Sequence, residues 1–223
     1  DDLSRPKTWA AMAYSAEPTG ENLRTVLRVF QRENPTMTNR ENLDLMRLMS
    51  VSGGLALKPD YLEYAEMAFK GGVFGEVKSA IDKGRAEGVL GSTDGADFYS
   101  VSSQRIPGDK SSLPSAVADA GKATTGKIAS ATADAYMGYG DYSKAVSLYE
   151  TALQKGSVDT AEVNTRLGIA KAMVGDTAGA KEALAKVSGG TRGGIASLWI
   201  DYLNAKSSAT AAAPAAAAAK PAA

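Results

Sequence analysis

Between Ala129 and Gly156, small and apolar residues recur twice at the spacing of a helix face. Ala133 and Tyr136 lie on the first stretch, and Ala145, Tyr149 and Ala152 on the second. A Gly140-Asp141 break separates them. Asp141 suits a helix N-cap, because its carboxylate accepts from the unpaired N–H groups of the following turn. Gly140 suits the left-handed residue that closes the helix before it. The pattern predicts two amphipathic helices, Lys127–Tyr139 and Tyr142–Lys155, packed back to back. Neither buries its stripe alone, and the pair leaves a face for a neighbour.

The same succession of helix and break fills the rest of the chain. Helices are predicted over Lys7–Ser15, Glu21–Glu33, a stretch opening at Thr38 or Asn39, Tyr61–Lys70 and Phe74–Ala86. Pro18-Thr19-Gly20, Asn34-Pro35, Ser52-Gly53-Gly54 and Gly71-Gly72 divide them. The pattern weakens from Gly91 to Ser112. There Asp94–Arg105 reads as a helix, Pro107-Gly108-Asp109 as a turn, and Leu113–Ala123 as a further helix. Thr160–Val174 and Thr177–Val187 repeat the paired design around Gly175-Asp176. After a glycine-rich link, Ile195–Lys206 carries Leu198, Trp199, Tyr202 and Leu203, and is expected to cap the exposed end of the array. Residues 207–223 form an Ala/Pro/Lys tail, expected to be disordered or a linker. No stretch shows the two-residue alternation of a strand.

The breaks are periodic. Gly175-Asp176 lies 35 positions after Gly140-Asp141, and Gly72-Val73 lies 68 before it, two periods of 34. On this register Ala65, Ala68, Val77, Ile81 and Gly84 match Ala133, Tyr136, Ala145, Tyr149 and Ala152. These in turn match Gly168, Lys171, Ala180, Leu184 and Val187. A period near 34 made of helix pairs resembles the tetratricopeptide repeat. The 129–156 unit meets that family's run of small, aromatic, alanine, aromatic and alanine. The chain departs from it at Lys171, where an aromatic is expected, at Ser157, in place of a late proline, and in the 58–88 unit, which lacks the aromatics.

The resemblance implies an all-α, right-handed solenoid of antiparallel helix pairs. Residues 1–57 would be divergent pairs. Residues 58–206 would form the array, with a degenerate unit near 92–123 and the capping helix 195–206. It also implies a concave groove, lined by the first helix of each pair, that holds a protein or peptide partner. Carried onto this chain, the groove-facing residues are Glu66 and Lys70, then Lys127, Asp134 and Met137, then Glu162, Thr165 and Ile169.

Composition removes several other functions. Lys and Arg total 25, and Asp and Glu total 25, so there is no basic excess and no nucleic-acid partner is expected. The chain has neither cysteine nor histidine. That excludes thiol nucleophiles, disulfides, histidine-held zinc and Ser-His-Asp chemistry, and no metal or cofactor is expected. No stretch approaches the ~18 strongly apolar residues that a membrane helix needs.

Gly121 to Ile128 has the glycine and lysine spacing of a P-loop. Ile128 brings no oxygen for magnesium, and the preceding segment reads as helix, so a helix–helix link is expected. Ser4-Arg5-Pro6-Lys7 matches Ser-x-x-Lys without the companion motifs of that enzyme class. Carboxylates are plentiful, but no pair stands out for acid–base work.

The favoured reading is a non-enzymatic module for protein interaction or scaffolding. The alternative is a non-catalytic accessory region of a bacterial cell-envelope enzyme or assembly. A carboxylate hydrolase comes third. The alanine-rich tail and the similarity to exported bacterial repeat proteins favour the periplasm over the cytoplasm, and the start at Asp1 reads as a mature or trimmed product.

Overall fold

The computed structural model describes the backbone of residues 6–218 and the side chains of residues 8–209. Among the described residues the protein is all-α, 78 % helical and without strands. The helices are α1 Pro6–Ala16, α2 Gly20–Glu33, α3 Asn39–Val51, α4 Lys58–Lys70, α5 Phe74–Ala86 and α6 Ala96–Lys122. They continue with α7 Lys127–Gly138, α8 Tyr142–Lys155, α9 Thr160–Met173, α10 Thr177–Ala185 and α11 Gly190–Ala218. Successive helices pack on one another throughout, an arrangement compatible with a helical repeat. The last helix also leaves the sequential order: α11 packs on α10 and α9 and returns to α3.

One turn recurs between paired helices. Gly140 has φ +78°, a region that a Cβ would strain. This lets the Asp141 N–H donate to the Tyr136 carbonyl at 3.0 Å and close α7. The Asp141 carboxylate then accepts from the Lys144 N–H at 3.2 Å and opens α8. Asp176 does both jobs between α9 and α10. Its N–H reaches the Lys171 carbonyl at 2.9 Å, and its carboxylate accepts from the Gly179 N–H at 2.8 Å. Ending one helix and starting the next within two residues folds each pair back on itself.

The positions matched by the repeat are the ones the fold buries. Ala65, Ala68, Val77 and Ile81 are enclosed, as are Ala133, Ala145, Tyr149 and Ala152, then Ala180 and Leu184. Gly168 takes the place of Ala133 in its unit. A Cβ there would lie 2.5 Å from Leu184 Cγ, so α9 and α10 approach more closely than alanine allows. Lys171 departs from the pattern; it is half-buried and pairs with Glu150 at 2.9 Å. Near the start of the chain, Arg24 grips the buried Asp60 with two hydrogen bonds of 2.8 and 3.0 Å, and Arg28 adds a third. Asp60 also accepts from the Ala56 and Leu57 N–H groups, so one carboxylate starts α4 and ties it to α2.

Two elements differ from the sequence expectation. The turn at Pro107-Gly108-Asp109 is absent, because α6 runs through it as one helix of 27 residues. The 92–123 region therefore holds a single long helix, not a degenerate pair. An interior proline costs a helix about 3 kcal/mol in isolation. Here Ser102, Leu113 and Ala120 are buried along α6, which packs on both α5 and α7, and that packing offsets the local preference. The second difference is at the end. The helix expected over 195–206 begins at Gly190, and its backbone stays helical to Ala218, into the stretch read as a tail. Residues 219–223 of that tail lie outside the described residues, as do Ser4 and Arg5 of the Ser-x-x-Lys match.

Tyr149→Ala is expected to lower the unfolding free energy by about 3 kcal/mol or more in a urea titration, since its enclosed ring leaves a cavity. Gly108→Ala provides the opposite sign. Nothing lies within 4 Å of a Cβ built there, so the change should stabilise by about 1 kcal/mol in a continuous helix; a loss in the same titration would restore the turn.

Candidate functional site

The fold contains a buried ionic centre and, beside it, a cleft. The centre starts on α3, whose run Leu43-Asp44-Leu45-Met46-Arg47-Leu48-Met49 is buried at every position. Asp44 receives three arginines. Arg47 Nη1 lies at 2.6 Å, Arg192 Nη1 at 2.8 Å and Arg166 Nε at 3.4 Å. Its backbone carbonyl accepts from the Trp199 indole at 3.2 Å. Arg47 forks onto Glu76 with bonds of 3.0 and 2.6 Å, and the Tyr64 hydroxyl donates to the same carboxylate at 3.0 Å. Arg166 extends to Asp134 at 2.8 Å and to Glu162 at 2.5 Å. Tyr149 donates to Asp134 at 2.6 Å, and Arg40 reaches Glu162 at 2.7 Å.

Carboxylates from α3, α5, α7 and α9 thus meet guanidiniums from α3, α9 and α11 in one connected set. Burial raises the pKa of the Asp44 carboxyl, but Arg166, Arg47 and Arg192 overcome it and hold the group below the usual carboxylate range. Burial also works against the charge on Arg47, yet Glu76 and Asp44 hold it firmly protonated. For Tyr149, burial and the neighbouring Asp134 act together and keep the phenol neutral well past its ordinary pKa. The set fixes its charges in place, and Asp44, being held ionised, is a weak base.

The cleft has a volume of about 860 Å³ and is bounded by the ends of α3, α7 and α9 and by the sides of α5 and α6. Val51, Ile106, Met137, Ile169, Met173 and Trp199 supply its apolar lining. Arg47 and Glu76 reach it from the ionic centre. Lys78, Asp82, Lys83 and Lys110 complete the charged part. Lys78 pairs with Asp82 at 2.5 Å and donates to the Tyr99 hydroxyl at 2.8 Å. Lys83 donates to the Ser50 carbonyl at 3.3 Å, and the Lys110 ammonium lies 4.9 Å from the Tyr139 ring centre.

The residues named from the resemblance divide between these places. Asp134 and Glu162 belong to the ionic centre. Thr165 is enclosed beside it, its hydroxyl donating to the Ala161 carbonyl at 2.7 Å. Met137 and Ile169 line the cleft. Glu66 and Lys70 instead pair with each other at 2.7 Å along α4, and Lys127 is exposed at the first turn of α7; neither centre nor cleft includes them. Sequence reasoning missed Asp44, Arg47, Glu76, Arg166 and Arg192. The available signal was two charges inside the seven-residue apolar run of α3, a context in which a charge has to find a partner.

The P-loop-like stretch is a helix–helix link. It comprises the end of α6, a short connection and the first residues of α7. The Lys155 ammonium donates to the carbonyls of Ala120, Gly121 and Ala123 at 2.7 Å each, satisfying the C-terminal end of α6. The Gly126 N–H donates to the Gly156 carbonyl at 2.8 Å.

The chain matches no protein-family model and no curated protein sequence. Among the described residues no helix is long and apolar enough to cross a membrane.

Removing one partner of a buried charge set leaves the others uncompensated, so Asp44→Asn should cost about 3 kcal/mol of stability at neutral pH. The Asp44 pKa lies below its unfolded value of about 3.9. Its contribution is therefore complete above that value and lost as the pH falls through the folded pKa. Melting temperatures measured from pH 7 down to strongly acid pH should fall less steeply for Asp44→Asn than for the unaltered chain.

Proposed function

We propose that this chain is a non-enzymatic helical-repeat module of the tetratricopeptide type, which holds a protein or peptide partner in the cleft between α3, α5, α6, α7 and α9. The repeat supports the first half of this reading: the matched positions are buried, and the same glycine-aspartate turn closes two of the pairs. The second half rests on one observation, the apolar-lined cleft of about 860 Å³. Met173 at its edge is 37 % exposed, and Val174 next to it 45 %, so apolar surface continues outward from the opening. Exposed apolar surface at a concavity is where partners dock. Both carboxylates in the lining are engaged, Glu76 by Arg47 and Tyr64 and Asp82 by Lys78, which favours holding a partner over acid–base chemistry. An accessory role in a bacterial cell-envelope assembly, outside the cytoplasm, fits the alanine-rich end of the chain.

A photo-crosslinking residue placed at Met173 should give a discrete protein adduct in an extract of the source cells. The same group at Ala185, exposed on α10, serves as the control. Equal labelling from both positions, or none from Met173, would remove the cleft as the partner site.

A further inference from the structure

The cleft has a charge bias that the whole chain lacks. Arg47, Lys78, Lys83 and Lys110 line it against only Glu76 and Asp82, whereas the complete sequence has formal net charge zero. Arg47 is neutralised within the ionic centre, and Lys78 by Asp82. The excess is carried by Lys83 and Lys110. The contacts of these two in the structure are with a carbonyl, Ser50, and an aromatic ring, Tyr139. Two cations thus stand beside an apolar lining of Val51, Ile106, Ile169 and Met173. Ser50, Ser79 and Tyr142 also line the cleft, and such hydroxyl groups suit the amides of a peptide better than an acyl chain.

Resting on the reading of the cleft as a partner site, we propose that its occupant is an acidic amphipathic peptide segment. Its apolar side chains enter beside Ile106 and Met173, and its Asp or Glu carboxylates meet Lys83 and Lys110. The two lysines select by sign of charge, and the apolar lining supplies the sequence-tolerant part of the affinity. This places a requirement on the partner: carboxylates flanking apolar residues.

Three fluorescent synthetic peptides of equal length test the assignment on the full chain. One alternates Leu with Glu at helical spacing, one replaces Glu by Gln, and one replaces Glu by Lys. The Leu/Glu peptide should bind about tenfold more tightly than the Leu/Gln peptide, the size expected of two exposed ion pairs. The advantage should shrink when salt is raised from about 50 mM to about 500 mM. The double substitution K83Q/K110Q should abolish the preference for Leu/Glu over Leu/Gln, whereas Lys127→Gln, at an exposed lysine outside the cleft, should keep it. Equal binding of the Leu/Glu and Leu/Gln peptides, weakened to the same extent by Met173→Asp, would overturn the charge assignment and leave the cleft as a partner site. Binding of none of the peptides would overturn both. Displacement of the Leu/Glu peptide by a second copy of the chain, seen as a dimer in sedimentation, or preferential uptake of oleate, would replace the proposed occupant.

Discussion

Asp44 holds a negative charge where water does not reach, and a lone carboxylate in such a place would be neutralised by taking a proton. Three arginines from three helices prevent that, and each of the helices must be in position for its guanidinium to arrive. Arg47 comes from the same helix as Asp44, Arg166 from α9 and Arg192 from α11. The arginines in turn require Glu76, Asp134 and Glu162, so the demand for compensation passes to α5, α7 and α9. Apolar packing tolerates small shifts of one helix against another. A connected ionic set in a dry interior tolerates them less, because a displaced member leaves its partners uncompensated. Helices α3, α5, α7, α9 and α11 are therefore held in one register by charge, in addition to their apolar packing.

That constraint explains the return of α11. A helix that merely covered the end of an array would touch its immediate neighbours. α11 also brings Arg192 to Asp44, Trp199 to the Asp44 carbonyl, and Tyr202 to the Val51 carbonyl at 3.2 Å. With these contacts the chain's own residues fill the space around Asp44, and the cleft lies beside it. This is why Thr165, expected to face a groove, is enclosed, and why Ile169, one turn further along α9, is also buried although it forms part of the cleft wall.

Local physics made much of the helical pattern readable in advance. Gly140-Asp141 and Gly175-Asp176 declare their turns because a left-handed residue and an N-cap are local requirements. Ala145, Tyr149 and Ala152 declare their face because burial follows the helical period. The turn expected at Gly108 failed for the converse reason: its signal was local, and the deciding contacts come from other helices, α5 and α7. The ionic centre was harder still. Asp44 lies 122 residues from Arg166 and 148 from Arg192, and no periodicity links them. What the sequence did contain was the conflict itself, an acid and a base set among leucines and methionines on α3.

The unbroken course of α6 has a geometric consequence for the opening beside it. It packs on α5 and α7 and so lies between the helices that precede and follow it. A helix advances about 1.5 Å and turns about 100° with each residue. Inserting or deleting a single position upstream of Ile106 would swing Ile106 and Lys110 out of the opening, whereas a change of about seven residues, close to two turns, would return them near the same azimuth at a different height. Changes in the length of α6 therefore decide which of its side chains face the opening.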